Sequence, residues 1–199
     1  SQFLTPVLDR YQIQQAIEGP ITLWGGQILP DLSTWLLNCL EDELDKLPLM
    51  QHALRVLYAA KTSAEGRKDV IIGLADFVQV FGLPEKLDLM SAEGRLALRR
   101  TLSDRLTRRY DTLQDRLKPA ARQAFCALTA VDSRNRDIRQ PQKLGTLAKI
   151  IGASEEDTRA VVRAFVTREE AYLRYDPHLA REDTVDVTHE CILRLWQPL

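Results

Sequence analysis

Among the side chains able to do chemistry, His189 has the most suggestive setting, within the closing stretch VDVTHECILRLWQPL, Val185 to Leu199. Val185 and Val187 alternate, whereas Ile192, Leu193 and Trp196 recur at three and four residues, so His189 stands where a strand becomes a helix. An imidazole there lies beside helix N-terminal amides without intrahelical partners, a setting that suits a bound anion or a phosphate oxygen. The other reading is a histidine that caps its own helix or packs in the core, and the residues leave both open.

Other chemistries are missing from the chain. A phosphate-cradling loop ends in Gly-Lys-Ser/Thr, so that backbone amides hold the phosphates and the lysine reaches the outer ones. None of the nine glycines is followed by lysine. There is no Gly-rich dinucleotide fingerprint, nucleophile elbow, His-Glu-x-x-His helix or calcium loop either, so the chain by itself reads as no enzyme. Cys39, Cys126 and Cys191 are odd in number, far apart and set in apolar helical contexts, which predicts buried free thiols rather than disulfides. No Cys or His pair has the spacing of a zinc site.

The composition is that of an ordinary globular protein: 45% of residues are apolar and 28% charged, enough for one large or two small domains to bury a core. The 27 basic and 28 acidic residues nearly cancel, so no global field marks a nucleic-acid or membrane binder. No apolar run approaches the roughly 18 residues of a membrane span, and SQFLTPVLDR lacks a signal-peptide pattern. The cytoplasm is therefore the expected compartment. A first residue other than Met and a stop after Trp196-Gln-Pro-Leu suggest a fragment of something longer.

The elements that must position His189 follow from the periodicity. A short amphipathic helix is expected from Asp9 to Ile17, with Tyr11, Ile13, Ala16 and Ile17 apolar, ended by Gly19-Pro20 and followed by a flexible link at Trp24-Gly25-Gly26. Leu32, Trp35, Leu36, Cys39, Leu40 and Leu44 form the stripe of a bundle helix, whose C-terminal acids Glu41, Asp42, Glu43 and Asp45 read as a solvated turn. Leu47 to Ala60 predicts another helix, with Pro48 in its first turn, where a missing N–H costs little, and Met50, Ala53, Leu54 and Leu57 buried. A loop with Gly66 spans Thr62 to Asp69, and Leu74 to Phe81 is a short helix closed by Gly82. From about Ser91, Leu98, Leu102, Leu106, Tyr110, Leu113 and Leu117 predict one long helix whose other face is rich in arginine, including Arg105, Arg108 and Arg109.

Pro119 starts a helix to about Val131, and a charged loop with Arg134, Arg136 and Arg139 follows. Leu144 to Ile151, a turn at Gly152-Ala153, and Ser154 to Thr167 form a helix-turn-helix pattern, with Val161, Val162, Phe165 and Val166 inward and Ser154 and Asp157 spaced as in a capping box. The period then becomes two, and Tyr172 to Tyr175 with Thr184 to Thr188 predict a β-hairpin, expected to be the only regular sheet. The fold class is mainly α: a helical bundle followed by a winged-helix domain made of a helix-turn-helix plus a β-hairpin.

Three segments carry a resemblance to bacterial STAND NTPases, a class of signalling proteins. THECILRLW around His189 resembles the His-Glu-Ala-Leu-containing segment near the end of their winged-helix domain. LPLMQHALRVLY, Leu47 to Tyr58, is similar to the Leu-Pro-Leu segment opening their helical domain. QAIEGP, Gln15 to Pro20, resembles the stretch where the nucleotide-binding domain gives way to that region, and all three occur in the family's order. Two departures stand out: Glu190 follows the histidine where related eukaryotic immune receptors have Asp, and Leu47 precedes the proline where a glycine is frequent.

The resemblance implies that residues 1–26 are the tail of the nucleotide-binding domain and a linker, 27–117 the helical domain, and 118–199 the winged-helix domain. It implies that Pro48 packs against the adenine and that His189 contacts the β-phosphate of bound ADP. The cofactors would be ATP and ADP, with Mg in the intact protein and none for the isolated chain. The partners would be an upstream P-loop domain, a downstream sensor or repeat domain, and further copies of the protein when activated, with no membrane and no nucleic acid. Two rival classes remain. One is a DNA-binding winged-helix regulator with Ser154 to Thr167 in the major groove, which Glu155, Glu156 and Asp157 oppose by repelling phosphates despite Arg159, Arg163 and Arg168. The other is a helical protein-interaction module without a nucleotide role.

Overall fold

The computed structural model describes residues 8–40, 46–65, 70–84, 86–133, 135, 137–167, 170–176 and 178–196, without the side chains of residues 46, 64, 65 and 193. The expectations for Glu41, Asp42, Glu43, Leu44, Asp45, Gly66, Arg134, Arg136, Arg168 and the Leu193 side chain lie outside the described residues. The chain is mainly helical with small sheets, and it divides into two compact units between Leu98 and Arg99. No helix among the described residues is long and apolar enough to cross a membrane.

In the first unit α1 (Arg10–Leu23) runs straight through Gly19 and Pro20 instead of ending there. Ile13, Ile17 and Ile21, four residues apart, are all buried, and this stripe outweighs the one backbone bond Pro20 removes. Tyr11, expected inward, is 69% exposed. The Asp9 side chain accepts from the Gln12 amide while the Gln12 side chain accepts from the Asp9 amide, a reciprocal cap at the helix start. β1 (Gln27–Ile28) pairs in parallel with β2 (Ile71–Ile72), and between them lie α2 (Pro30–Leu40) and α3 (Lys46–Glu65). Leu32, Trp35, Leu36, Cys39 and Leu40 of α2 are buried, as are Met50, Ala53, Leu54 and Leu57 of α3. Helix α3 continues to Glu65, into the stretch expected as a loop. α4 (Leu74–Phe81) stops at Gly82 and places Phe77 4.5 Å from the Trp35 ring, whose Nε1 donates to the Leu89 carbonyl at 2.9 Å.

The helix expected from Ser91 to Leu117 is α5 (Ala92–Asp111) followed by a separate 3-10 turn, Asp115–Leu117. The Thr112 hydroxyl donates to the Arg109 carbonyl, the Leu113 amide tightens onto Tyr110, and the backbone at Gln114 is extended with ψ 139°. Leu113 and Leu117 are nonetheless buried, so the four-residue spacing persists across a break that periodicity does not register. The boundary between the two units falls within α5.

The second unit continues with α6 (Lys118–Ala127), which ends earlier than expected because Thr129–Val131 pairs with a later segment as β3. β3 pairs antiparallel with β4 (Asp137–Arg139), inside the stretch expected as a charged loop. After β5 (Gln142–Lys143) come α7 (Leu144–Ile150) and α8 (Glu155–Ala164), joined by a turn in which Gly152 has φ +63°, a backbone region that costs glycine nothing. The Ser154 hydroxyl accepts from the Asp157 amide and donates to the Asp157 carboxylate. β6 (Leu173–Tyr175) and β7 (Thr184–Val187) form the expected hairpin, and α9 (Cys191–Leu195) closes the chain. The hairpin is not the only sheet. β5 joins β7 on its other edge, giving the order β5-β7-β6, and the β1-β2 and β3-β4 pairs are separate. Cys39 and Cys191 are buried, but Cys126, expected to be buried, is exposed.

Gly94, in the first turn of α5, is buried against the preceding loop. A Cβ there would fall on the Asp88 carbonyl oxygen and the Leu89 Cα, well inside van der Waals contact. Gly94→Ala is expected to destabilise by about 1–3 kcal/mol through overpacking. A urea midpoint lowered relative to the wild type checks the close approach at Gly94.

Candidate functional site

Pro48 sits in the first unit, in the opening turn of α3. First-turn amides have no intrahelical acceptor, so the missing N–H removes no helix bond. The ring is half-buried, while Leu49 and Met50 beyond it are 1% and 2% exposed and anchor the turn in the core.

His189 sits in the second unit between β7 and α9, the strand-to-helix junction the periodicity predicts, and it is half-buried. On its upstream side, Thr188 donates its amide to the Tyr172 carbonyl at 3.0 Å and its hydroxyl to the Ala171 carbonyl at 2.8 Å. On its downstream side the Ile192 amide bonds the His189 carbonyl. α9 has only five residues, so its end supplies little field of its own. Glu190 occupies the cap position, and its carboxyl lies below the ordinary value: burial pushes it up, but its own backbone N–H and the Arg139 guanidinium outweigh that.

Strand β7 explains how this turn is held. Val185 and Val187 are fully buried on one face, and Asp186, on the other, is 2% exposed. Arg174, its register partner on β6, donates to Asp186 Oδ2 through Nη2 at 2.6 Å and Nε at 3.0 Å. Arg139, at the end of β4, reaches the same oxygen through Nη1 at 3.3 Å and Glu190 Oε1 through Nε at 2.8 Å. Sequence reasoning missed Asp186. Its signal was present: an acid between two inward valines of a strand faces away from them, and an arginine on the paired strand can cover it.

A second buried acid, Glu170, lies just before β6. Its side chain is 3% exposed and receives Arg105 Nη1 at 2.5 Å and Arg109 Nε at 3.0 Å. Burial works to raise its carboxyl, yet the two guanidiniums hold it below the ordinary value, while burial and the Glu170 charge push the Tyr172 phenol up. Two arginines of the α5 face are therefore spent on this carboxylate. At the start of α8, Asp157 bonds Arg116, and Glu155 pairs with Arg159, whose Nε also donates to the Leu179 carbonyl. Among the described residues no group of His, Cys, Asp and Glu could hold a metal ion.

The family model described as Novel STAND NTPase 1 matches residues 1–199. The chain belongs to that family. No curated protein and no solved structure matches it. In this novel STAND NTPase chain the three resembling segments fall on α1, on the start of α3 and on the β7–α9 junction.

Glu170→Gln removes the charge that balances Arg105 and Arg109. Because both arginines are partly exposed, the loss at neutral pH is expected to be about 1–3 kcal/mol rather than the full cost of a deeply buried pair. A depressed carboxyl stabilises above its ordinary value of 4.5 and loses that contribution as pH falls through the folded-state value. The gap between wild type and Glu170→Gln in chemical denaturation should therefore be full at pH 7 and close progressively below 4.5.

Proposed function

We propose that this chain is the helical and winged-helix region of a STAND signalling ATPase, closing over bound ADP and opening on exchange for ATP to permit oligomerisation and signalling. Residues 1–26 are then the tail of the nucleotide-binding domain and a linker, 27–117 the helical domain, and 118–199 the winged helix. In the last of these, α6, α7 and α8 are the helical core, the β6–β7 hairpin is the wing and β5 is its third strand. The observation that carries the reading is the setting of His189: a half-buried imidazole on a turn held on both sides, at the motif position that contacts the β-phosphate in the family. A histidine donating to phosphate makes a charge-assisted bond. Pro48, at the other motif, offers a rigid apolar face to the adenine.

The chain has no P-loop, so in this reading hydrolysis belongs to an upstream domain and sensing to a downstream one, in a cytoplasmic protein of bacterial defence or regulation. Mg accompanies the nucleotide in the intact protein. The described residues contain no group suited to hold it, and no step is assigned to it. The geometry favours this reading over a DNA-binding regulator, because α8 opens with three acids and its Arg159 is turned to Glu155 and the Leu179 carbonyl. Phosphate neutralisation needs lysines and arginines free to face the groove.

The isolated chain should neither hydrolyse ATP nor bind it tightly, and micromolar affinity by calorimetry would count against the proposal. In the full-length protein the His189 bond exists only in the closed state, so its loss shifts the closed-to-open balance by that bond. A charge-assisted bond contributes roughly 1.5–3 kcal/mol, which is about a tenfold to hundredfold change in the population ratio. His189→Ala should accelerate ADP release and raise basal oligomerisation with the fold intact. A histidine that only caps its helix predicts instead a lowered melting temperature with ADP release unchanged, and that result would end the role assigned to His189.

A further inference from the structure

The turn carrying His189 is anchored very differently on its two sides. Upstream, Thr188 is tied twice to the 171–172 backbone and β7 lies between two partner strands. Downstream there is a five-residue helix, too short to hold its own first turn, because nucleation of an isolated turn is unfavourable. What ties Glu190, at the near end of that helix, is Arg139. Its guanidinium joins Asp186, three residues before His189, to Glu190, the residue after it, with contacts of 3.3 and 2.8 Å. The Asp186 side chain is 3% exposed and is also held by Arg174, so it serves as a fixed post, and Arg139 ties the Glu190 end of the turn to it. A planar guanidinium can serve two carboxylates with set directions in a way a single ammonium cannot.

Resting on the nucleotide reading above, we infer that Arg139 is the positioning residue for His189: by bridging Asp186 and Glu190 it holds the imidazole in the direction needed to meet a phosphate oxygen. Arg139 itself touches no nucleotide in this inference and acts only through His189.

The test is a double-mutant cycle in the full-length protein, reading the release of a fluorescent ADP analogue. Arg139→Ala should fold, because Arg174 still pairs Asp186 through two nitrogens. It should speed ADP release about threefold to tenfold, within the range of coupling between neighbouring groups. Combined with His189→Ala it should release ADP no faster than His189→Ala alone, since a positioning residue has nothing left to position. Glu190→Gln, on a side chain 41% exposed, loosens the same bridge without disturbing Asp186 and should reproduce the effect; it carries the test if Arg139→Ala is unstable. Multiplying effects in the double variant would overturn the inference, because Arg139 would then act independently of His189. So would unchanged release in Arg139→Ala or, where that variant is unstable, in Glu190→Gln, while His189→Ala is fast. Unchanged release in His189→Ala removes the nucleotide reading itself, and the inference falls with it.

Discussion

The second unit depends on one indole. Trp196 is 2% exposed; its ring meets Phe125 at 4.9 Å, Tyr110 at 5.5 Å and Phe165 at 6.1 Å, and its Nε1 donates to the Thr107 hydroxyl at 3.1 Å. Edge-to-face aromatic pairs contribute roughly 0.5–1.5 kcal/mol each beyond their burial. A five-residue helix has no such stability of its own, so α9 exists because Trp196 is held by α5, α6 and the end of α8. With β7 fixed by its strand partners and α9 by this indole, the turn between them has two fixed ends, and His189 inherits a definite place from both.

Charge in this unit is arranged as specific local pairings. Glu170 takes two arginines and so does Asp186, although both acids are almost fully withdrawn from water. A carboxylate in that position is tolerated only when hydrogen-bonded and paired. The near-equality of 27 basic and 28 acidic residues across the chain therefore conceals specific internal matches. The arginine-rich face of α5 is one result: Arg105 and Arg109 serve an acid more than sixty positions away.

Features readable from the sequence were those set by neighbours in the chain. The β7–α9 junction, the α7–turn–α8 pattern and the buried face of α3 follow from local spacing, and each is found where the spacing puts it. Errors arose where distant residues decide. Pro20 sits inside α1 because Ile13, Ile17 and Ile21 bury together, and Thr129 to Val131 form a strand because Asp137 to Arg139 lie opposite. The end of α5 was invisible because Leu113 and Leu117 keep helical spacing through a different backbone. Around the candidate site, His189 and Pro48 stood out through motif and residue type. Arg139, Asp186 and Glu170 did not, since their meaning lies in pairings that span dozens of residues.

The three cysteines differ in a way that has a practical side. Burial pushes the Cys39 thiol up to about 12 and Cys191 is 1% exposed, so neither presents a thiolate to solvent, while Cys126 stands exposed on α6. Thiol reactivity follows thiolate character and access. A maleimide dye added to the native chain should thus mark a single position in the same unit as His189, whereas an unfolded chain offers three. The number of dyes per molecule then becomes a direct tally of folded and unfolded protein, and the dye at Cys126 is a built-in optical reporter that needs no engineered site.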